Sequence, residues 1–167
     1  PETSPFDKTR LVWRLMRLLP EVLGDEAYAP LRRYLDDDPL LRKRFQLAER
    51  LADLFDQYQV YRADWLEAWA CGNDTLPDAL GGKQKPLPDD QRWQAALWRT
   101  LVDDVARRPA AGGAAKAELP RQHGGRAAVH AAFLERARAL EGAARPADLP
   151  RRVLVFGIAS LPLQTLE

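Results

Sequence analysis

Between Leu41 and Tyr58, apolar side chains return every three or four residues: Leu41, Ala48, Leu51, Phe55 and Tyr58, with Arg44 on the same stripe. That period matches an α-helix and is incompatible with the two-residue alternation of a half-buried strand. A stripe of this length must be covered, and the neighbouring sequence offers more helices to cover it. Asp7 stands as an N-cap before Leu11, Val12, Leu15, Leu18 and Leu19, a second amphipathic pattern expected to break near Pro20. A short helix is expected from about Tyr28 to Leu35. The acidic "LDDDP" then serves as a turn and cap, with Pro39 in the first turn of the long helix. "ADWLEAWA" gives a fourth helix, and "DDQRWQAALWRTLVDDVA" a fifth with Trp93, Leu97, Leu101 and Val105 inward.

The chain has 167 residues, room for one core of its own. Residues 72–88 turn to Gly, Pro, Asn, Asp and Lys and read as a loop, as do the low-complexity residues at about 108–125. A last helix is expected from Arg126 to Leu140. The C-terminus breaks the pattern: Val153, Leu154, Val155 and Phe156 run together before Gly157, as in a strand buried on both faces of a parallel sheet. Nothing else reads as a strand, and a lone strand leaves its backbone groups unpaired. The expected architecture is therefore mainly α: a helical domain over residues 1–150, and at 151–167 a strand that returns to a sheet outside the chain.

Several functions are excluded on chemistry. Two histidines, His123 and His130, and one cysteine, Cys71, give no metal-ligand spacing and no internal disulfide, in keeping with a reducing cytoplasm. Asp36, Asp37 and Asp38 are read as a capping turn in preference to a cation site. "LGGKQKP" and "AAGGAAKAEL" lack the phosphate-loop spacing, and Ser160 lacks a nucleophile elbow. No catalysis, metal or cofactor is expected. No apolar run could cross a bilayer. "PETSPFDKTR" is no signal peptide and reads as a cut made inside a longer protein. The net charge of +1 leaves no basic excess for binding DNA through phosphates alone.

One polar face remains to be explained. Within "RLADLFDQYQVYRADWLEAW", Asp53, Asp56 and Gln57 lie opposite the apolar stripe, Leu54 lies at its border, and Arg62 follows at the helix end. Two readings stand. The face is either the solvated back of a scaffold helix, or an array of acceptors for the donor edges of unpaired guanine and cytosine, with an arginine for guanine O6 and N7. No lysine shares a turn with the two carboxylates to relieve their repulsion.

"VWRLMRLLPEVL", "LRRYLDDD", "RKRFQLAERLADLFDQYQVYRADWLEAW" and "RVLVFGIASLP" together resemble the RecC family, the gamma chain of exodeoxyribonuclease V. The resemblance runs in order from about Pro5 to Glu167. It implies a helical insertion domain of a superfamily 1 helicase-like protein that has lost its ATPase motifs. It implies a non-catalytic segment working with RecB and RecD subunits. Such a segment would help scan the 3′-ended single strand for the Chi sequence during double-strand break repair by recombination. The alternative is a protein-interaction scaffold only. The family's strand-scanning surface maps onto Asp53, Leu54, Asp56 and Arg62, and a further family arginine onto Arg126.

Overall fold

The structure is a computed structural model and describes residues 4–37, 40–78, 84–108, 135–136 and 154. Five α-helices carry it: α1 Lys8–Val22, α2 Ala29–Leu35, α3 Arg42–Tyr61, α4 Ala63–Ala70 and α5 Arg92–Arg107. Single 3₁₀ turns at Glu26–Tyr28 and Asp89–Gln91 lead into α2 and α5.

Helices α1 and α3 form the main packing pair and run in opposite directions. Gln59 meets Phe6, Asp53 meets Lys8, and Phe45 meets Trp13. Their inward faces meet in a core of Leu11, Leu15, Leu18 and Leu19 with Ala48, Leu51, Ala52 and Phe55. Small residues at 48 and 52 let the two backbones approach, as ridge-in-groove packing requires. A connected row of rings then ties the helices together. Trp98 of α5 lies 5.1 Å from Phe6 and 5.3 Å from Phe55; Phe55 meets Tyr58; and Tyr58 meets Trp65 and Trp69 of α4 edge-on. Burial of such rings supplies much of the hydrophobic stabilisation of a domain this size.

A buried charge cluster joins α1 to α5. Asp104, 2% exposed, takes Arg14 at 2.5 Å and Arg17 at 2.6 Å, and Arg14 also donates to the Arg108 carbonyl. Burial pushes the Asp104 carboxyl upward, but the hydrogen bonds and charges of Arg17 and Arg14 outweigh it and hold the group below its usual range.

The structure departs from the sequence reading in several places. Helix α1 passes through Pro20 to Val22, since only one turn follows the proline and Leu23 N–H still reaches the Leu19 carbonyl at 3.1 Å. Helix α3 starts at Arg42, and Leu41 sits outside the core stripe, 44% exposed, in the left-handed region at φ 57°. On α5 the sequence reading missed buried Trp98 and Asp104, and Trp93 and Val105 are only half-buried. Residues 72–88 are not all loop: β1 Thr75–Leu76 and β2 Lys85–Pro86 pair antiparallel, Thr75 opposite Pro86. The chain turns into this pair through Gly72 at φ 86°, where Gly72 N–H reaches the Trp69 carbonyl and Asn73 N–H the Ala68 carbonyl. That double bond closes α4 as a glycine C-cap does. Pro39, the expected last helix and the return strand lie outside the described residues, apart from Glu135, Arg136 and an exposed Leu154.

Candidate nucleic-acid interface

The face singled out in the sequence is the outer side of α3, and its residues divide into two groups. At about 100° per residue, Asp53, Leu54, Gln57 and Tyr61 share an outward sector about 100° wide, and Asp56 sits some 60° further round, toward α1. Gln57 is exposed; Asp53, Leu54 and Asp56 are half-buried. On the side toward α1 the Asp56 Oδ1 atom is buried, so the exposed part of this face is carried by Gln57 and Tyr61.

The repulsion between the two carboxylates is relieved from another helix. Lys8 of α1 places its Nζ 2.5 Å from Asp53 Oδ1, with both side chains about half exposed. The hydrogen bond and charge of Asp53 lift the Lys8 ammonium above its usual range, with smaller contributions from the nearby charges of Glu49 and Asp56. Glu49, Asp53 and Asp56 thus form an acidic edge along the α1–α3 seam with one lysine set into it. A sequence search within one helical turn could not find that lysine, because the antiparallel pairing of α1 and α3 brings it there.

Arg62 is held from three sides at the junction of α3 and α4. Its Nε and Nη2 grip the Asp64 carboxylate at 3.0 and 2.8 Å, Nη2 also donates to the Pro77 carbonyl, and the guanidinium lies 3.8 Å above the Trp65 ring. Trp65 Nε1 donates to the same Pro77 carbonyl at 3.1 Å. The hairpin is further fixed by Trp69 Nε1 on the Thr75 carbonyl and by Arg99 on Asp74. The guanidinium is therefore immobilised at the junction of α3 and α4, with about a quarter of its side chain exposed. Two of these partners, Asp64 and Trp65, follow Arg62 by two and three residues, though the sequence reading named neither; Pro77 and its hairpin were not legible. Arg126 lies outside the described residues.

Gln59, which the helical wheel leaves unremarked, is 2% exposed and donates through Nε2 to the carbonyls of Phe6 and Phe55. It ties the segment before α1 to α3 and so fixes where Lys8 stands. No group of His, Cys, Asp or Glu among the described residues could hold a metal ion, and no described helix is long and apolar enough to cross a membrane.

A separate apolar patch lies at the other end of α3. Leu40 is 76% exposed, Trp13 65%, Leu41 44% and Phe45 37%, and Trp13 and Phe45 touch with ring centres 6.3 Å apart. Exposed apolar side chains gathered in this way are a feature of surfaces that pack against another partner.

Comparison with known proteins places these features in a lineage. The family described as RecC, N-terminal domain, matches residues 1–167. The chain is 42% identical over 171 residues to the RecBCD enzyme subunit RecC of Escherichia coli (strain K12), covering 100% of the chain and 13% of that protein. It is 39% identical over 175 residues to the RecBCD enzyme subunit RecC of Haemophilus influenzae, covering 98% of the chain and 14% of that protein. To the RecBCD enzyme subunit RecC of Mycobacterium tuberculosis it is 29% identical over 177 residues. The chain thus spans about one-seventh of the length of these relatives. Family match and identity agree along the whole chain, from the α1–α3 seam to the C-terminal residues: it belongs to the RecC N-terminal domain family.

Proposed function

We propose that this segment reads unpaired bases of the 3′-ended single strand as part of a RecBCD-type helicase-nuclease, contributing to Chi recognition without catalysing a reaction itself. The observation that carries the reading is the acidic and amide edge of α3, with Gln57 exposed and Asp53 and Asp56 half-buried, together with Arg62 held fixed where α3 ends. Gln57, with the carboxylates of Asp53 and Asp56 beyond the oxygen that Lys8 holds and the one that is buried, offers acceptors to the amino groups of guanine and cytosine, and Arg62 offers donors to guanine through Nη1, which stands outside its clamp on Asp64 and Pro77. Such edges are exposed only once the strands have parted. The near-neutral charge agrees with a surface that selects bases while other parts of a larger protein supply the pull on phosphates. In this reading RecB and RecD subunits are the partners, the setting is the bacterial cytoplasm, and no cofactor is bound by this segment.

A second reading is favoured by the patch of Trp13, Leu40, Leu41 and Phe45: a scaffold surface packing against the rest of the longer polypeptide or a partner subunit. One experiment separates the two. Asp56→Asn is introduced into the full-length protein assembled with its partners, and strand degradation is followed on DNA with and without Chi. Base reading gives normal unwinding with the Chi response lost. A scaffold role alone gives failed assembly or no change.

A further inference from the structure

We infer that Leu54 and Tyr61 bracket a slot on α3 that holds two stacked, unpaired nucleobases, with Tyr61 as the aromatic wall; this rests on the single-strand reading above. Hydrogen bonds to a base edge fix the base within its plane but leave it free to slide along the stacking direction. A reading surface therefore needs a flat face as well as acceptors, and single-strand binders supply it with aromatic rings.

The aromatic residues of α3 differ in what they are free to do. Phe45 faces Trp13, and Phe55 and Tyr58 are built into the internal row of rings. Tyr61 is 59% exposed and enters neither a ring pair nor a side-chain hydrogen bond among the described residues. It sits on the sector that carries Leu54 and Gln57. Its position is also rigid, because the next residue closes α3 by donating its N–H to the Tyr58 carbonyl at 2.9 Å, and that residue is Arg62, clamped to Asp64 and Pro77.

The spacing is what selects two bases. Leu54 and Tyr61 are seven residues apart, so they stand about 20° from the same line and about 10.5 Å apart along the axis. Stacked bases repeat at about 3.4 Å and apolar contacts lie near 3.5–4 Å, so three such intervals fill the span: Tyr61 to base, base to base, base to Leu54. Gln57 stands between the two walls, three residues after Leu54 and four before Tyr61, offset to the side where base edges fall. Its amide can both donate and accept, so it can meet either base.

The test uses the full-length protein assembled with its partner subunits and forked DNA carrying 5-iodouracil at one position of the 3′-ended strand at a time. Irradiation is expected to link one or two adjacent positions to Tyr61. The link persists in Tyr61→Phe, because the ring remains, and disappears in Tyr61→Ala. Tyr61→Ala is expected to weaken the Chi response about ten-fold with unwinding unchanged, and Tyr61→Phe to leave it normal. No link at Tyr61, or a Chi response unchanged in Tyr61→Ala while Asp56→Asn abolishes it, overturns the slot and leaves the reading of the acidic edge standing. A loss in Tyr61→Phe equal to that in Tyr61→Ala, or a loss of assembly in Tyr61→Ala, also overturns it. A link at Tyr61 with a normal Chi response in Asp56→Asn upholds the slot and removes the acidic edge from base reading.

Discussion

Asp104 offers the sharpest test of how this helical domain is held. Its carboxylate is 3% exposed and bonded to Arg14 at 2.5 Å and Arg17 at 2.6 Å, whose side chains are 13% and 34% exposed. Asp104→Leu removes the acceptor and leaves both cations facing an apolar side chain. Removing one partner of a buried ion pair costs about 3–5 kcal/mol, since the remaining charge stays desolvated. Here part of that cost is avoidable. Arg17 is a third exposed and has Glu21 within 3.8 Å, so it can turn to solvent; Arg14 keeps the Arg108 carbonyl. The expected loss is therefore about 2–4 kcal/mol, mostly from Arg14, read as a lower urea midpoint at unchanged slope. Replacing all three charges together (Arg14→Met, Arg17→Met, Asp104→Leu) should recover most of it, because a buried charge cluster and a well-packed apolar one are close in energy. The pH dependence has a definite sign. The folded carboxyl is held below its ordinary value, so its contribution is fully present above about pH 4 and fades as the pH falls through the depressed folded value. The stability gap between the native chain and Asp104→Asn should accordingly narrow in acid and stay constant from pH 5 to 8. A loss below about 1 kcal/mol in Asp104→Leu, or a gap that widens in acid, would refute the account of this cluster.

Trp98→Ala removes the ring between Phe6 and Phe55 and should cost about 3–5 kcal/mol in equilibrium unfolding, one of the largest single losses available in this core. Leu41→Gly should stabilise the chain by up to about 1 kcal/mol, because Leu41 pays a left-handed backbone penalty that glycine escapes, while its exposed side chain buries little. A destabilised glycine variant would mean that the leucine side chain packs more than its exposure implies. Together with Asp56→Asn and the Tyr61 pair, these variants test the scaffold and the reading surface separately.

Much of the candidate site was legible in the sequence because a helix fixes its own faces. Once α3 was recognised from its three-and-four spacing, the positions of Asp53, Leu54, Asp56 and Gln57 relative to Leu51 and Phe55 followed from 100° per residue. Their exposed or half-buried state agrees with that wheel. Arg62 was placed at the helix end for the same reason. Tyr61, on the same face, was equally visible; its open surroundings were not.

What the sequence determined by itself was local: that α1 to α5 are helical, and most of the stripe that each buries, with Leu41, Trp98 and Asp104 as the exceptions. These depend on backbone geometry within a few residues. What only the tertiary structure decided was every partner that arrives from far along the chain. Lys8 beside Asp53, Gln59 under Phe6, Arg14 and Arg17 around Asp104, and Pro77 on Arg62 are brought together by the antiparallel seat of α1 on α3 and by the short hairpin after α4. The physical reason is that periodicity records which way a side chain points and carries no record of what it meets there. An acidic edge becomes a compensated surface, and a terminal arginine a fixed one, only when packing delivers the opposite charge.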